Sequence, residues 1–146
     1  MPHTMIFQVD VDTDPEAVHT ALTTTSGVEA WWTDTAVIPE TVGGHLELTF
    51  PGMLLPFDLI LEECAAKRVS WQAGSFPPPW EGTRCSWDLA ANPDAPGTRI
   101  RFEHSGWDQS NPHVGMVTFG WGQILGRLKS YLDTGVPSPY FTTVDG

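Results

Sequence analysis

The chain has 146 residues, 40% of them apolar, with 18 acidic against 7 basic side chains and a net charge of −11. That length fits a single domain, residues 1–146, able to bury about two thirds of its unfolded surface. Its acidity argues against nucleic acid and anionic membrane as partners. No apolar run reaches membrane-spanning length, and the opening residues MPHTMIFQVD lack a basic region leading into an apolar core, so a cytoplasmic protein is expected.

Residues 4–11 alternate, with Met5, Phe7, Val9 and Val11 on one side, which predicts a half-buried strand. Asp14-Pro15-Glu16 supplies an N-cap, a proline at the first helical position and an acid in the first turn. A short helix follows on Ala17, Val18, Ala21 and Leu22; residues 23–27 break it, and Val28 to Trp32 is expected to form a further helical turn. From Thr35 the period becomes two. Leu46, Leu48 and Phe50 lie on one face, as do Phe57, Leu59 and Leu61, then Val69, Trp71 and Ala73, then Cys85, Trp87 and Leu89, then Ile100, Phe102 and His104. Pro51-Gly52 and residues 92–97 are turns, and Phe76-Pro77-Pro78-Pro79-Trp80 reads as a surface hairpin connection stiffened by prolines.

The longest element is the last. Between Asn111 and Gly135, the residues Val114, Val117, Trp121, Ile124, Leu128 and Tyr131 or Leu132 recur three or four apart, which stacks them on one helical face. Gly115, Gly120, Gly122 and Gly126 each cost about 1 kcal/mol of helix propensity relative to Ala. Such a helix needs tertiary support, and its glycines would let a sheet or a ligand approach closely. The expected fold is α+β: a curved antiparallel sheet of six or seven strands with one wet face, wrapped around the last helix, and two short helices after the first strand. Whatever the helix leaves uncovered becomes a cleft.

Several stretches carry a family resemblance in this order: Asp14-Pro15-Glu16-Ala17-Val18, Trp31-Trp32, Phe102-Glu103-His104-Ser105-Gly106-Trp107, and Gly120-Trp121 running through Leu125, Leu128, Lys129 and Tyr131-Leu132 to Gly135. The chain resembles the single-domain bacterial branch of the family named for activators of the 90-kDa heat-shock protein ATPase, within the START-related, polyketide-cyclase, helix-grip superfamily. The resemblance implies a deep cavity between sheet and last helix, used for small apolar molecules. The chaperone-activating members match over only one domain of a longer protein, and their additional amino-terminal module is missing here, which argues against a cochaperone role.

Trp31, Trp71, Cys85, Trp87, Phe102, His104, Trp121 and Ile124 are the residues expected to line a ligand site, because parity turns them toward the helix. Trp32, Trp80 and Trp107 are expected at its rim. His104 would hydrogen-bond a ligand or act as an acid or base, and otherwise is a core histidine satisfied by its neighbours, the better-favoured of the two. Met53, Leu54 and Leu55 form an apolar tip, read as a guard of the cavity mouth, as a homodimer contact, or equally as residues buried against the first helices. Cys64 and Cys85 are too few for a disulfide framework, and strand parity sets them on opposite faces, so both are expected free. Glu62 and Glu63 likewise point to opposite faces and cannot act as a pair. The five histidines show no metal-ligand spacing, and neither metal nor cofactor is expected. The leading reading is therefore a binding protein for a small apolar or aromatic molecule. A cyclase or hydratase using His104 ranks second, and a chaperone-regulating interaction module acting through the acidic surface and proline-rich loop ranks third.

Overall fold

A computed structural model describes residues 2–143. In chain order the elements are β1 (Pro2–Val11), α1 (Pro15–Thr23), α2 (Thr25–Glu29), β2 (Thr35–Val37), β3 (His45–Thr49), β4 (Phe57–Ala65), β5 (Arg68–Ala73), β6 (Arg84–Ala91), β7 (Thr98–Asp108) and α3 (Val114–Thr134). All seven strands form one antiparallel sheet in the order β1-β7-β6-β5-β4-β3-β2. The meander explains this order: each strand from β2 to β7 pairs with the next, and β1 closes the far edge against β7.

The helices begin and end where local chemistry requires. Asp14 caps α1 by accepting from the Ala17 N–H, with Pro15 at the first position. Thr24 caps α2 by accepting from the Gly27 N–H, so this helix starts at Thr25 and closes at Glu29. The helical turn expected over Val28 to Trp32 is thus displaced toward the amino terminus, and Trp31 and Trp32 follow the helix. α3 starts at Val114, two residues beyond Pro112, and ends at Gly135, whose φ of 77° suits the residue without a Cβ. Past that cap the chain returns to residues 30–34: the N–H groups of Ser138, Tyr140 and Phe141 donate to the carbonyls of Ala30, Trp31 and Trp32.

Pairing register places the inward residues in rows. Val69, Trp87, Phe102 and Phe7 form one row across β5, β6, β7 and β1, and Trp71, Cys85, His104 and Met5 form the next. α3 covers these rows with Trp121, Ile124, Leu125, Leu128 and Leu132, all buried. An irregularity between Leu61 and Glu63 on β4 resets the parity beyond it. Cys64 therefore pairs with Val69 and shares the inward face with Cys85, contrary to the count of alternating residues. Cys64 is nonetheless exposed, beside the His19 Nε2 at 3.6 Å, while Cys85 is buried. The same reset puts Glu62 and Glu63 within reach of arginines on the outer face, Glu62 with Arg84 at 2.5 Å and Glu63 with Arg68 at 3.0 Å. Met53, Leu54 and Leu55 are not packed on the first helices; Leu54 is 98% exposed.

Candidate functional site

The eight residues expected to line a site come together in one layer between sheet and α3. Trp31, Trp71, Cys85, Trp87, Phe102, His104, Trp121 and Ile124 are all buried. Ring centroids lie 4.2 Å apart for Trp87 and Phe102, 4.4 Å for Phe102 and Trp121, and 5.5 Å for Trp71 and Trp87. Trp32 stacks between Trp31 and Trp71 at 5.6 and 5.9 Å, near-parallel to both. The rings thus pack on one another and fill the layer where an open cleft was expected. The three tryptophans assigned to a rim are also inside: Trp32 and Trp107 are buried and Trp80 is 7% exposed. Trp80 gets there because the proline-rich connection folds inward through a single turn at Pro78–Trp80. Its indole then lies edge-on to His104 at 4.7 Å and to Phe57 at 5.2 Å.

His104 is held by partners on α3 and on the connection leading into β6. The Trp121 Nε1–H donates to His104 Nδ1 at 3.0 Å, which fixes Nδ1 as an acceptor. The proton therefore sits on Nε2, which donates to Thr83 Oγ1 at 2.8 Å, and the Thr83 hydroxyl donates onward to the Trp80 carbonyl at 2.7 Å. Burial pushes the imidazole pKa down to about 3, so it is neutral at physiological pH. Both nitrogens are committed, and no carboxylate takes part in this relay. Burial also pushes the Cys85 thiol up, which keeps it protonated and inert. The arrangement orders a core; it does not hold a proton ready for transfer.

Two polar groups in this region remain unspent. The indole N–H groups of Trp87 and Trp107 are buried with no acceptor. An unmatched buried donor costs about 1–3 kcal/mol. Among the described residues no cluster of His, Cys, Asp and Glu has the makings of a metal site.

Sequence reasoning did not find the groove between β1 and α3. Phe7, Gln8, Val9 and Asp10 form one wall and Gly122, Leu125, Gly126 and Lys129 the other, around a hollow of about 360 Å³. A methyl group added at Gly122 or Gly126 would meet nothing within 4 Å, so the missing side chains leave the space open. The only advance signal was the glycine content of the helix. Phe7 links this groove to the ring layer by stacking on Phe102 at 6.0 Å. A second hollow, about 470 Å³, lies between Pro78 and Pro79 and the turn at Asp108–His113, away from the rings.

A family model described as Activator of Hsp90 ATPase homolog 1-like protein matches residues 12–133. Among solved structures, the Aha1 dimer from Colwellia psychrerythraea is similar at 29% identity and a TM-score of 0.80, covering 91% of this chain and 98% of that one. DynU16, a protein of the dynemicin biosynthetic locus, is similar at 25% identity and a TM-score of 0.77; the match covers 95% of this chain and 50% of DynU16. CalU16 from Micromonospora echinospora, at 19% identity and a TM-score of 0.71, covers 94% of this chain and 78% of its own and shares the fold. No curated protein sequence matches the chain. No helix among the described residues is long and apolar enough to cross a membrane.

Proposed function

The chain belongs to the Activator of Hsp90 ATPase homolog 1-like protein family, and from that membership we propose that it binds a small apolar or aromatic molecule between the sheet and α3, without obligatory chemistry. The observation that carries this reading is the unspent Trp87 N–H inside the ring layer. A ligand carbonyl or hydroxyl would recover the cost of that donor, while its flat or apolar body would pack against Trp87, Phe102 and Trp121. In this reading the ligand would enter from the β1–α3 groove, which Phe7 lines while its ring stacks on Phe102. Because the rings close on one another, binding requires them to part. The ligand acts as a wedge that selects a more open packing.

Saturable change in tryptophan fluorescence on titration with a panel of aromatic and apolar metabolites tests the reading. For acceptor-bearing compounds, Trp87→Phe is expected to weaken binding at least tenfold. No saturable response across the panel, together with no small molecule retained by the purified protein in native mass spectrometry, would overturn it. Catalysis by His104 draws no support from the geometry, since both of its nitrogens are engaged. The chaperone-regulating reading rests on the family and the acidic surface alone.

A second proposal is self-association. The relative from Colwellia psychrerythraea is a dimer, and α3 of this chain exposes Met116 at 67% and Phe119 at 69%. Light scattering across a concentration series checks it, and a monomer mass throughout would refute it.

A further inference from the structure

We propose that two copies of the chain associate through α3, the stripe Gly115–Phe119–Gly122–Gly126 of one helix packing antiparallel against the same stripe of the other. The inference rests on the self-association reading above and names its surface. Three observations point to a second copy as the occupant.

The first is shape. The four positions fall four, three and four residues apart, a spacing that reads the same in both directions. On a helix this spacing keeps them on one face. With an antiparallel partner about a two-fold axis, Phe119 lies over the partner's Gly122, and Gly115 over the partner's Gly126. The large ring meets a gap, and elsewhere backbone meets backbone. Such self-complementarity is what an isologous interface requires. The second is space. A methyl group built at Gly115, Gly122 or Gly126 touches nothing within 4 Å, so none of these glycines is needed for packing within one copy. The third is charge. The chain carries −11, yet residues 111–126 contain no Asp, Glu, Lys or Arg. Two acidic molecules repel on approach, and an uncharged helix face is where that repulsion opposes contact least.

The partner's Phe119 would then stand over Gly122, in the glycine wall of the β1–α3 groove. Each copy would help roof the other's opening.

The experiment measures the dimer dissociation constant by sedimentation for wild type, Gly122→Leu, Phe119→Glu and Leu54→Glu. Gly122→Leu has room within one copy, so it should fold at least as stably while raising the dissociation constant at least tenfold. Phe119→Glu should do the same through an exposed position, and circular dichroism verifies both folds. Leu54→Glu, on the exposed hairpin tip, should leave dimerisation unchanged. A wild-type dimer that survives both helix substitutions overturns this surface while leaving self-association standing. Loss of the dimer only in Leu54→Glu assigns the interface to the tip instead. A wild type that is monomeric at all concentrations removes self-association and this proposal together.

Discussion

His104 makes the stability of this fold sensitive to mildly acidic pH. In the folded chain its imidazole is wholly buried between Trp121 and Thr83 and stays neutral until about pH 3, whereas an unfolded histidine gains its proton near 6.5. The unfolded state therefore binds the extra proton first. The stabilisation is full above pH 6.5 and is lost progressively as pH falls toward 3. Integrating the proton linkage from pH 7 to pH 5 gives a loss of about 2 kcal/mol from this one group. Asp10, Glu62 and Asp108 are held below ordinary values of 3.8, 4.5 and 3.8 by Arg99, Arg84 and Ser110 respectively, so their losses fall at lower pH. His104→Gln isolates the effect, because its amide can accept from Trp121 and donate to Thr83 without titrating. Urea denaturation followed by tryptophan fluorescence at pH 7, 6 and 5 should show wild type losing about 2 kcal/mol more than His104→Gln over that range. Equal slopes for the two proteins would refute the buried neutral imidazole.

In the folded chain Cys64 should react with Ellman's reagent while Cys85 reacts only after denaturation, read as one thiol and then two. Equal reaction of both in the native state would contradict the packing around β6. Gly97→Ala should destabilise by more than about 2 kcal/mol, because the new Cβ would sit 2.0 Å from the Val11 carbonyl at a φ of +111°. A melting temperature unchanged from wild type would count against the β1–β7 register. Asp14→Ala removes the acceptor for the Ala17 N–H and should cost about 1 kcal/mol by chemical denaturation.

Alternation and helical spacing made the layers of this fold readable, because burial on one face leaves a period in the chain. The inward set Trp71, Cys85, Trp87, Phe102 and His104 follows from that period alone. Parity failed at Cys64, where the irregularity at Glu62 adds a residue that no pattern of apolar positions announces. Trp80 was misplaced because prolines around it read as surface loop, while a single large ring can gain enough by burial to pull its loop inward. The partners of His104 come from distant parts of the chain, so the sequence could offer a satisfied core histidine only as a type of outcome. Residues 138–143 carry no period, and the backbone N–H groups of Ser138, Tyr140, Phe141 and Thr143 reach back more than a hundred residues, to Ala30, Trp31, Trp32 and Asp34. The β1–α3 groove is formed by absent side chains, which composition records only as a helix rich in glycine.

The way α3 is fastened has a mechanical consequence. Its carboxyl half is tied down repeatedly: Arg127 donates to the Ser138 carbonyl, Lys129 to the Asp10 carbonyl, and Asp133 accepts from the Asp12 N–H. Among the described residues, no hydrogen bond joins residues 114–120 to another element. The helix is bound by hydrogen bonds toward Gly135, whereas its first turns rest on the core through Val114 and Val117 by apolar contact. Local opening is then easiest in the first turns, and amide deuterium uptake along the helix should decline from Val117 toward Leu132. The molecule yields at one place and resists at the other.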